Sequence, residues 1–293
     1  MKKSVLSISL LLASFCATTP PVHAADAPAV RASAVVATDP AQQLREVTQM
    51  LRANDLAGLV RQMMSAEEFQ RLRQEYELER SRPISDEERA EFEQKIARFV
   101  APDAVDRLME EIEPKLAEAR PQAAGAIMMA IGGLQMALAS PETELTEEQR
   151  TMLRQALPGI QAWITSTDFL SSQTARQALT YVTDAARASG IGNLDQLRML
   201  SLEEVLAHGG RMFAAGKRAL QLYGLDFDAI AASARYETVS VEGDRARVRA
   251  TITVFDAPLS GELELRLVDG RWIGKDAHIK IRHDDEVEES SES

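Results

Sequence analysis

The sequence predicts a mainly helical protein that ends in a small antiparallel β-sheet, and three observations support this fold class. Helix start signals recur from residue 39 to residue 201, and each heads an amphipathic segment. The apolar residues in these segments are three or four positions apart, which is the period of a helix face. From about Tyr236 onwards apolar and polar residues alternate, which is the period of a half-buried strand. We therefore expect a multi-helix bundle followed by a four-stranded antiparallel sheet packed on a helix.

The first 24 residues have the three parts of an export signal: a Met-Lys-Lys start, an apolar run from Val5 to Ala17, and small residues before a cleavage point after Ala24. Cys16 follows the bulky Phe15 rather than a small residue, which argues against a lipoprotein signal. The run is also shorter than the roughly 20 residues that a membrane span needs. We therefore expect a periplasmic or secreted protein.

Removal of the signal changes the composition of the chain. Of 293 residues, 269 remain, with 31 basic and 45 acidic side chains, a net charge of −14, and no cysteine. A disulfide, a thiolate ligand and a cysteine nucleophile are thereby excluded from the mature chain. The acidic balance argues against nucleic acid as a partner, since phosphates require a basic face. It argues less strongly against binding to anionic lipid.

The remaining chain divides by composition. Residues 25–38 have no period and form a flexible lead-in. Residues 39–225 form the helical domain, and residues 226–283 form a small sheet domain with a covering helix. Residues 284–293 are a run of acidic and serine residues, so we expect a disordered tail.

Two kinds of start signal define the helices. Asp39-Pro40 places a capping carboxylate before a proline at the first helical position. A capping box, in which a hydroxyl and a later Glu or Gln side chain satisfy each other's backbone N–H groups, occurs four times. These boxes are Ser65/Glu68, Ser85/Glu88, Thr146/Gln149 and Ser201/Glu204.

Prolines punctuate the helical region. Because proline lacks an N–H and its ring meets the preceding turn, we expect short helices with breaks or kinks near each one. The residues concerned are Pro83, Pro102, Pro114, Pro121, Pro141 and Pro158.

The alternating region predicts strands at 236–242, 245–255, 259–268 and 271–282. Glu242-Gly243-Asp244 and Asp269-Gly270 are typical of tight turns, and Asp256-Ala257-Pro258 of a looser one. The apolar face of this sheet needs a cover, for which the helix ending near Ala234 is the nearest candidate.

The last part of the chain resembles the helix-and-meander half of cystatin-like or NTF2-like domains. The resemblance rests on the helix Phe227 to Ala234, the strand around Val248 to Val254, and Asp269-Gly270-Arg271-Trp272. It covers residues 226–282. It implies an antiparallel meander packed on a helix, a fold that serves both binding modules and enzymes.

Gln122 to Ser140 is the most apolar segment after the leader. We expect it to be a central helix buried within the bundle. An exposed groove for an oligomer or partner is one alternative. A membrane-inserting helix with small contact residues at Gly125, Gly132 and Gly133 is another. Its length is marginal for a span, and the residues that follow it are acidic.

Metal sites are not favoured by the available ligands. Met63-Met64, Met128-Met129 and Met136 have the softness that copper(I) prefers, but core filling or an adaptable apolar surface explains them better. His278 and His283 with Asp284 and Asp285 offer nitrogen and oxygen ligands, yet five residues along a strand place the two histidines on opposite faces. His208, before Gly209-Gly210, is interpreted as a cation at a helix end. We expect neither a metal nor a cofactor.

Catalytic motifs are also missing from the sequence. It contains no Gly-x-Ser-x-Gly, Ser-x-x-Lys, phosphate loop or His-Glu-x-x-His. Acid pairs such as Glu110-Glu111 are plentiful. A hydrolytic site built from carboxylates that are distant in sequence but close in space is an alternative that the sequence leaves open. An aromatic content of 5% disfavours a cleft that stacks on sugars.

The polar face of the predicted sheet is basic. Its residues form a possible surface for an acidic partner, although a solvated face with cross-strand ion pairs is the simpler interpretation. They are Arg245, Arg247, Arg249, Arg266, Lys280 and Arg282.

Together these features predict a non-enzymatic exported protein that binds a partner protein or an apolar ligand, with no stable membrane span after cleavage. The alternative is a hydrolase-like enzyme with a dispersed carboxylate site. A weaker third possibility is a form attached to the membrane through Gln122 to Ser140.

Overall fold

The structure is a computed structural model that describes residues 38–140, 143 and 147–274. The predicted leader and its cleavage point after Ala24, the lead-in as far as residue 37, and the acidic tail lie outside the described residues. Within the described ranges the fold class is confirmed, because a series of helices is followed by a C-terminal four-stranded antiparallel sheet.

The helices described are α1 (Pro40–Ala53), α2 (Leu56–Met63), α3 (Ala66–Ser81), α4 (Asp86–Val100), α5 (Ala104–Ala139), α6 (Glu147–Ser166), α7 (Ser172–Ala188), α8 (Leu194–Met199), α9 (Leu202–Gln221) and α10 (Phe227–Ser233). The strands are β1 (Arg235–Glu242), β2 (Arg245–Val254), β3 (Ala257–Val268) and β4 (Arg271–Gly274).

The helix starts follow the local sequence. The Asp39 carboxylate accepts a hydrogen bond from the backbone N–H of Gln42, ahead of Pro40 in the first turn of α1. Complete capping boxes begin α3, α4 and α9. The fourth predicted box begins at Thr146, which lies outside the described residues. Each cap satisfies N–H groups that a helix start leaves without a partner, so these boundaries are set locally.

The prolines divide into two groups. Pro83 and Pro102 stand between helices, as expected. Pro114 and Pro121 lie within α5 and Pro158 within α6, so the expectation that helices end near these three positions is wrong. Pro141 lies outside the described residues. In α5 the carbonyls that the two prolines leave without a donor belong to exposed residues, where water can bind them. The helix can therefore continue past both rings.

The sheet has the strand order β1-β2-β3-β4, and every neighbouring pair is antiparallel. The predicted looser turn after β2 is wrong. Ala257 and Pro258 pair with Val254 and Thr253, which leaves Phe255 and Asp256 as a two-residue hairpin. Both have positive φ, 49° and 62°, the signature of a type I′ turn.

One helix supplies most of the cover on the sheet core, and it is α1 rather than the neighbouring α10. Ala41 is buried with Val248 and Trp272, and Leu44 packs against the same cluster. α10 contacts β2 at the C-terminal end of the strand, where the Ser233 hydroxyl accepts from the Thr253 backbone N–H at 2.7 Å. α10 has seven residues, too short to cover the apolar face alone.

The buried Gln43 side chain fixes α1 to the outer edge of β4. Its Nε2 group donates to the Trp272 carbonyl oxygen at 2.6 Å, and its Oε1 accepts from the Trp272 backbone N–H at 2.8 Å. The indole N–H of Trp272 donates to the Thr38 carbonyl oxygen at 2.7 Å. An edge strand exposes such backbone groups, and here one amide side chain occupies the place of a further strand.

The β2–β3 hairpin is held against α6 by close packing. The Phe255 ring stacks on Trp163, with the ring centroids 4.9 Å apart. A Cβ atom on Gly159 would lie 2.3 Å from the Phe255 carbonyl oxygen, so only glycine fits there. A positive φ is strained for a bulky residue, and this stacking and contact with α6 hold Phe255 in place.

We predict that Gln43→Leu lowers the free energy of unfolding by about 2–4 kcal/mol, because the N–H and carbonyl of Trp272 lose their partners inside the protein. Urea unfolding followed by far-UV circular dichroism measures the change. Gln42→Leu, on the exposed side of the same helix, is the control and should change the value by about 0.5 kcal/mol or less. Equal effects of the two variants would contradict the role given to Gln43.

Gly159→Ala is predicted to destabilise the protein by about 1–3 kcal/mol, because the added methyl group overlaps the Phe255 carbonyl. Gly216→Ala in α9 is the matched control, since a Cβ there meets nothing within 4 Å. That variant should be neutral or stabilising, because alanine favours a helix over glycine. Unfolding curves of the two variants at the same pH provide the comparison.

Candidate functional site

The C-terminal half of α5 lies on the surface, so the expectation that Gln122 to Ser140 is buried core is wrong. Met128, Met129 and Met136 are 69%, 74% and 73% exposed. Only 6% of the most apolar 18-residue stretch of this helix is buried. We call this exposed side of residues 122–139 the α5 surface. A methionine-rich surface of this kind is typical of adaptable binding sites.

The other side of the same helix packs against the protein. Leu138 is buried, and Ile127 and Ile131 are half-buried. At the helix end the buried Arg150 of α6 donates to the carbonyl oxygens of Leu138 (2.9 Å) and Ser140 (2.8 Å). A cation there complements the negative end of the helix dipole and satisfies carbonyls that lack a helical donor. The α5 surface is therefore presented by a helix that is fixed at its end.

Glycines on the α5 surface make no close packing contact with the described part of the chain. A Cβ added to Gly125, Gly132 or Gly133 would meet nothing within 4 Å. Glycine in a helix interior costs about 1 kcal/mol relative to alanine, so three of them weaken a helix that gains nothing from them internally. Sequence reasoning named these residues but placed them in the core. The glycines themselves were the sequence feature that indicated a contact surface, because glycine is unfavourable in a helix unless another group approaches closely.

By length and composition α5 is also a helix that could cross a membrane, the one such helix among the described residues. The same test is passed by some core helices of soluble proteins. Core helices of that kind are mostly buried, whereas the apolar stretch of α5 has one side packed against the protein and the other side exposed.

The glycine pair that follows His208 lies within a helix and allows a close contact with another part of the backbone. His208, Gly209 and Gly210 lie inside α9, so the interpretation of His208 as a cation at a helix end is wrong. A Cβ on Gly210 would lie 2.3 Å from the Asn54 carbonyl oxygen. The pair thus allows α9 to pack closely against the connection between α1 and α2.

The described residues contain no group of three or more His, Cys, Asp or Glu side chains placed to hold a metal ion. His278, His283, Asp284 and Asp285 lie beyond the last described residue, so their predicted arrangement stays a prediction. Of the methionines considered as soft ligands, Met64 is buried, whereas Met63 is 42% exposed.

The described members of the basic sheet face lie together on exposed positions. Arg245, Arg247 and Arg249 alternate along β2, and Arg266 of β3 lies opposite Arg245. Lys280 and Arg282 fall outside the described residues.

Acids on the same sheet pair with these arginines. Arg249 Nη2 donates to Glu262 Oε1 at 3.0 Å, and Arg266 Nε donates to Asp244 Oδ2 at 3.3 Å. Arg247 Nη1 lies 3.8 Å from the other Glu262 oxygen. The face is therefore a mixture of both signs, and exposed pairs of this kind contribute little to stability.

A buried lysine, Lys217 of α9, joins three helices. Its ammonium group donates to the carbonyl oxygens of Leu51 and Arg52 at 3.3 Å each and to the Asp228 carboxylate. A lysine has three N–H donors, and all three are used. The arrangement closes the C-terminal end of α1 and ties it to α9 and α10, which is a structural role.

Three carboxyl groups among the described residues have pKa values below the ordinary value for glutamate. The hydrogen bond from Arg82 and the backbone N–H of Ser85 lower the pKa of Glu88 to about 2. Arg73 lowers the pKa of Glu203, and the backbone N–H of Ser201 lowers that of Glu204. General acids at neutral pH require the opposite shift, so these three groups act as anchors for helix starts and arginines.

Two tyrosines have raised pKa values, in both cases chiefly because of burial. The Tyr76 hydroxyl donates to the Leu200 carbonyl oxygen at 2.9 Å. Tyr223 stacks with Phe169, with the ring centroids 6.1 Å apart. Tyr76 therefore ties α3 to the residue that follows α8, and Tyr223 packs the turn after α9 against the turn after α6.

A shallow depression lies beside the β2–β3 hairpin and contains a single carboxylate, that of Asp256. Glycoside hydrolysis ordinarily uses two. The paired acids of the enzymatic hypothesis are thus not brought together at this depression.

Comparison of the chain with models of known families, with curated proteins and with solved structures gives no match. The resemblance of residues 226–282 to cystatin-like or NTF2-like domains stays a prediction.

The lowered pKa of Glu88 gives a prediction for acid stability. A carboxyl with a folded pKa of about 2 and an ordinary value of 4.5 stabilises the protein above pH 4.5 and loses that contribution as the pH falls towards 2. In Glu88→Gln this part of the pH dependence should disappear, so that the unfolding curves of variant and parent converge near pH 2. Urea midpoints measured between pH 2 and 7 provide the test.

Arg82→Gln is the companion variant, because it removes the largest cause of the shift while keeping the carboxyl group. It should weaken the pH dependence of stability in the same range. Combining Arg82→Gln with Glu88→Gln should change that dependence little further. Parallel pH profiles for the parent and Glu88→Gln would show that this carboxyl does not contribute.

Proposed function

We propose that this protein is an exported, non-enzymatic interaction protein that binds its partner, a protein or an apolar ligand, through the α5 surface. One observation supports the proposal above the others: an apolar half-helix is left exposed although the opposite side of the same helix is packed. Soluble proteins seldom leave large contiguous apolar areas open unless something binds there.

The contrast with the rest of the surface supports the same conclusion. Three of the four described arginines of the basic sheet face pair with acids, and the carboxyls with lowered pKa values are engaged in caps and arginine pairs. Among the residues that the structure describes, the α5 surface has no such partner, and its three methionines can adapt their side chains to an apolar shape. Export is proposed from the leader, and the cysteine-free mature chain needs no particular redox state.

The test is site-specific photocrosslinking in cells that produce the full chain. A photoreactive amino acid replaces Met129 on the α5 surface, and the matched control carries it at Met199 of α8, which is 81% exposed. Both sites are exposed methionines, so they differ mainly in their surroundings. We expect a discrete adduct at position 129 and none at position 199, with intact-mass spectrometry distinguishing a protein from a small apolar ligand.

An adduct at position 129 that disappears on introducing Met128→Ser and Met136→Ser would tie the binding to the surface as a whole. Equal labelling at positions 129 and 199, or labelling at neither, would overturn the proposal.

A further inference from the structure

We propose that the partner of the α5 surface is a second copy of this chain, bound antiparallel through the same surface; this rests on the proposed function, since it names the occupant of that site. The relevant residues form one line along the helix, which we call the α5 seam. They are Gln122, Gly125, Met129, Gly132, Met136 and Ala139.

The seam has the spacing of a helix-pairing interface. Its members are separated by three, four, three, four and three residues, which keeps them on one side of a helix that pairs with another. All six are exposed. This line lies opposite the side that carries Leu138 and packs against the protein, so it is available to a second helix.

The α5 seam alternates long side chains and small residues, and this order is complementary to itself when one of two copies is reversed. When two copies run antiparallel about a two-fold axis between residues 130 and 131, Met129 faces Gly132 and Met136 faces Gly125. At the ends Gln122 faces Ala139. Every layer then combines one long side chain with one small residue, so each long side chain has the space that it needs in the other helix. An interface with two-fold symmetry must complement itself, and this order does so.

Other arrangements fit the same residues less well. In a parallel pair in register Met129 would face Met129 and Gly132 would face Gly132, so that crowded layers alternate with empty ones. A lipid bilayer would have no use for the alternation of sizes, and for the helix to enter it the C-terminal end of α5 would have to lose the hydrogen bonds from Arg150 to the Leu138 and Ser140 carbonyl oxygens. An unrelated protein would not require the order to read the same in both directions.

The antiparallel pairing of two α5 helices explains why glycines lie on the exposed side of this helix. A Cβ on Gly125 or Gly132 would meet no described residue within 4 Å, yet each faces a methionine in the antiparallel arrangement. The uncharged interval from Pro121 to Pro141 covers the whole overlap, so no like charges come together within it. The overlap of 18 residues corresponds to about 27 Å of helix.

Cysteine crosslinking of the purified full chain tests the geometry. In a Cys16→Ser background an introduced thiol is the only one present. Two copies of residue 129 lie three residues apart along the helix axis, about 4.5 Å, whereas two copies of residue 136 lie eleven residues apart, about 16 Å. With a short bis-maleimide, Met129→Cys should therefore link to itself and Met136→Cys should not. A mixture of Met136→Cys with a tagged Gly125→Cys chain should form the mixed dimer.

A second measurement separates association from folding. Gly132→Leu fills the space that Met129 of the other copy requires, and should raise the dimer dissociation constant about tenfold or more in sedimentation equilibrium. The same change should raise the urea midpoint of the monomer, since leucine favours a helix over glycine. Ala124→Leu, exposed on α5 but outside the seam, should leave the dissociation constant unchanged.

Self-linking of Met136→Cys as strong as that of Met129→Cys would indicate a parallel or non-specific pair and overturn the proposal. A dimer dissociation constant of Gly132→Leu equal to that of the parent chain would overturn it as well. A chain that stays monomeric and forms no link would also overturn it. In that case an adduct at position 129 with another protein or a ligand leaves the proposed function standing, and sedimentation with phosphatidylcholine vesicles identifies a membrane as the occupant.

Discussion

The hydrogen-bonded contact between Gln43 and Trp272 joins the first described helix to the last described strand. Both hydrogen bonds are buried, and the two residues are 229 positions apart in the sequence. The Arg271 guanidinium extends the junction by donating to the Met64 carbonyl oxygen at 2.9 Å, so that the turn after α2 is tied to β4 as well. Because the sheet core takes its helical cover from α1, residues from both sides of the predicted division at 225/226, such as Ala41 and Val248, are buried in one apolar cluster.

Glycine has two distinct uses in this fold. At Gly159 and Gly210 another part of the backbone lies where a Cβ would be. These contacts position the β2–β3 hairpin on α6, and α9 against the connection between α1 and α2. At Gly125 and Gly132 the same absence of a side chain leaves open space on the surface. Within one chain the first use is complete. The second use is complete only when another helix occupies that space, and this connects the packing rules of the fold to its proposed association.

Charge is distributed in a way that separates structure from binding. Arginines and acids pair across the sheet and between helices, and the lowered pKa values follow from those pairs and from caps. The α5 surface contributes apolar area without charge. For an acidic protein, net repulsion opposes association at long range, so contact between two copies depends on short-range packing of the seam and should tighten as salt screens that repulsion.

The sequence by itself determined the features that depend on neighbours within a few residues. The capping boxes at Ser65, Ser85 and Ser201 and the alternation that defines the strands are of this kind, because a cap or a pleat is completed locally. The tertiary structure alone decided that α5 continues through its prolines, that α1 covers the sheet, and that one side of residues 122–139 is exposed. An apolar segment has the same composition in a core and at a binding surface. What distinguishes the two is which elements pack around it, and those elements lie far away in the sequence.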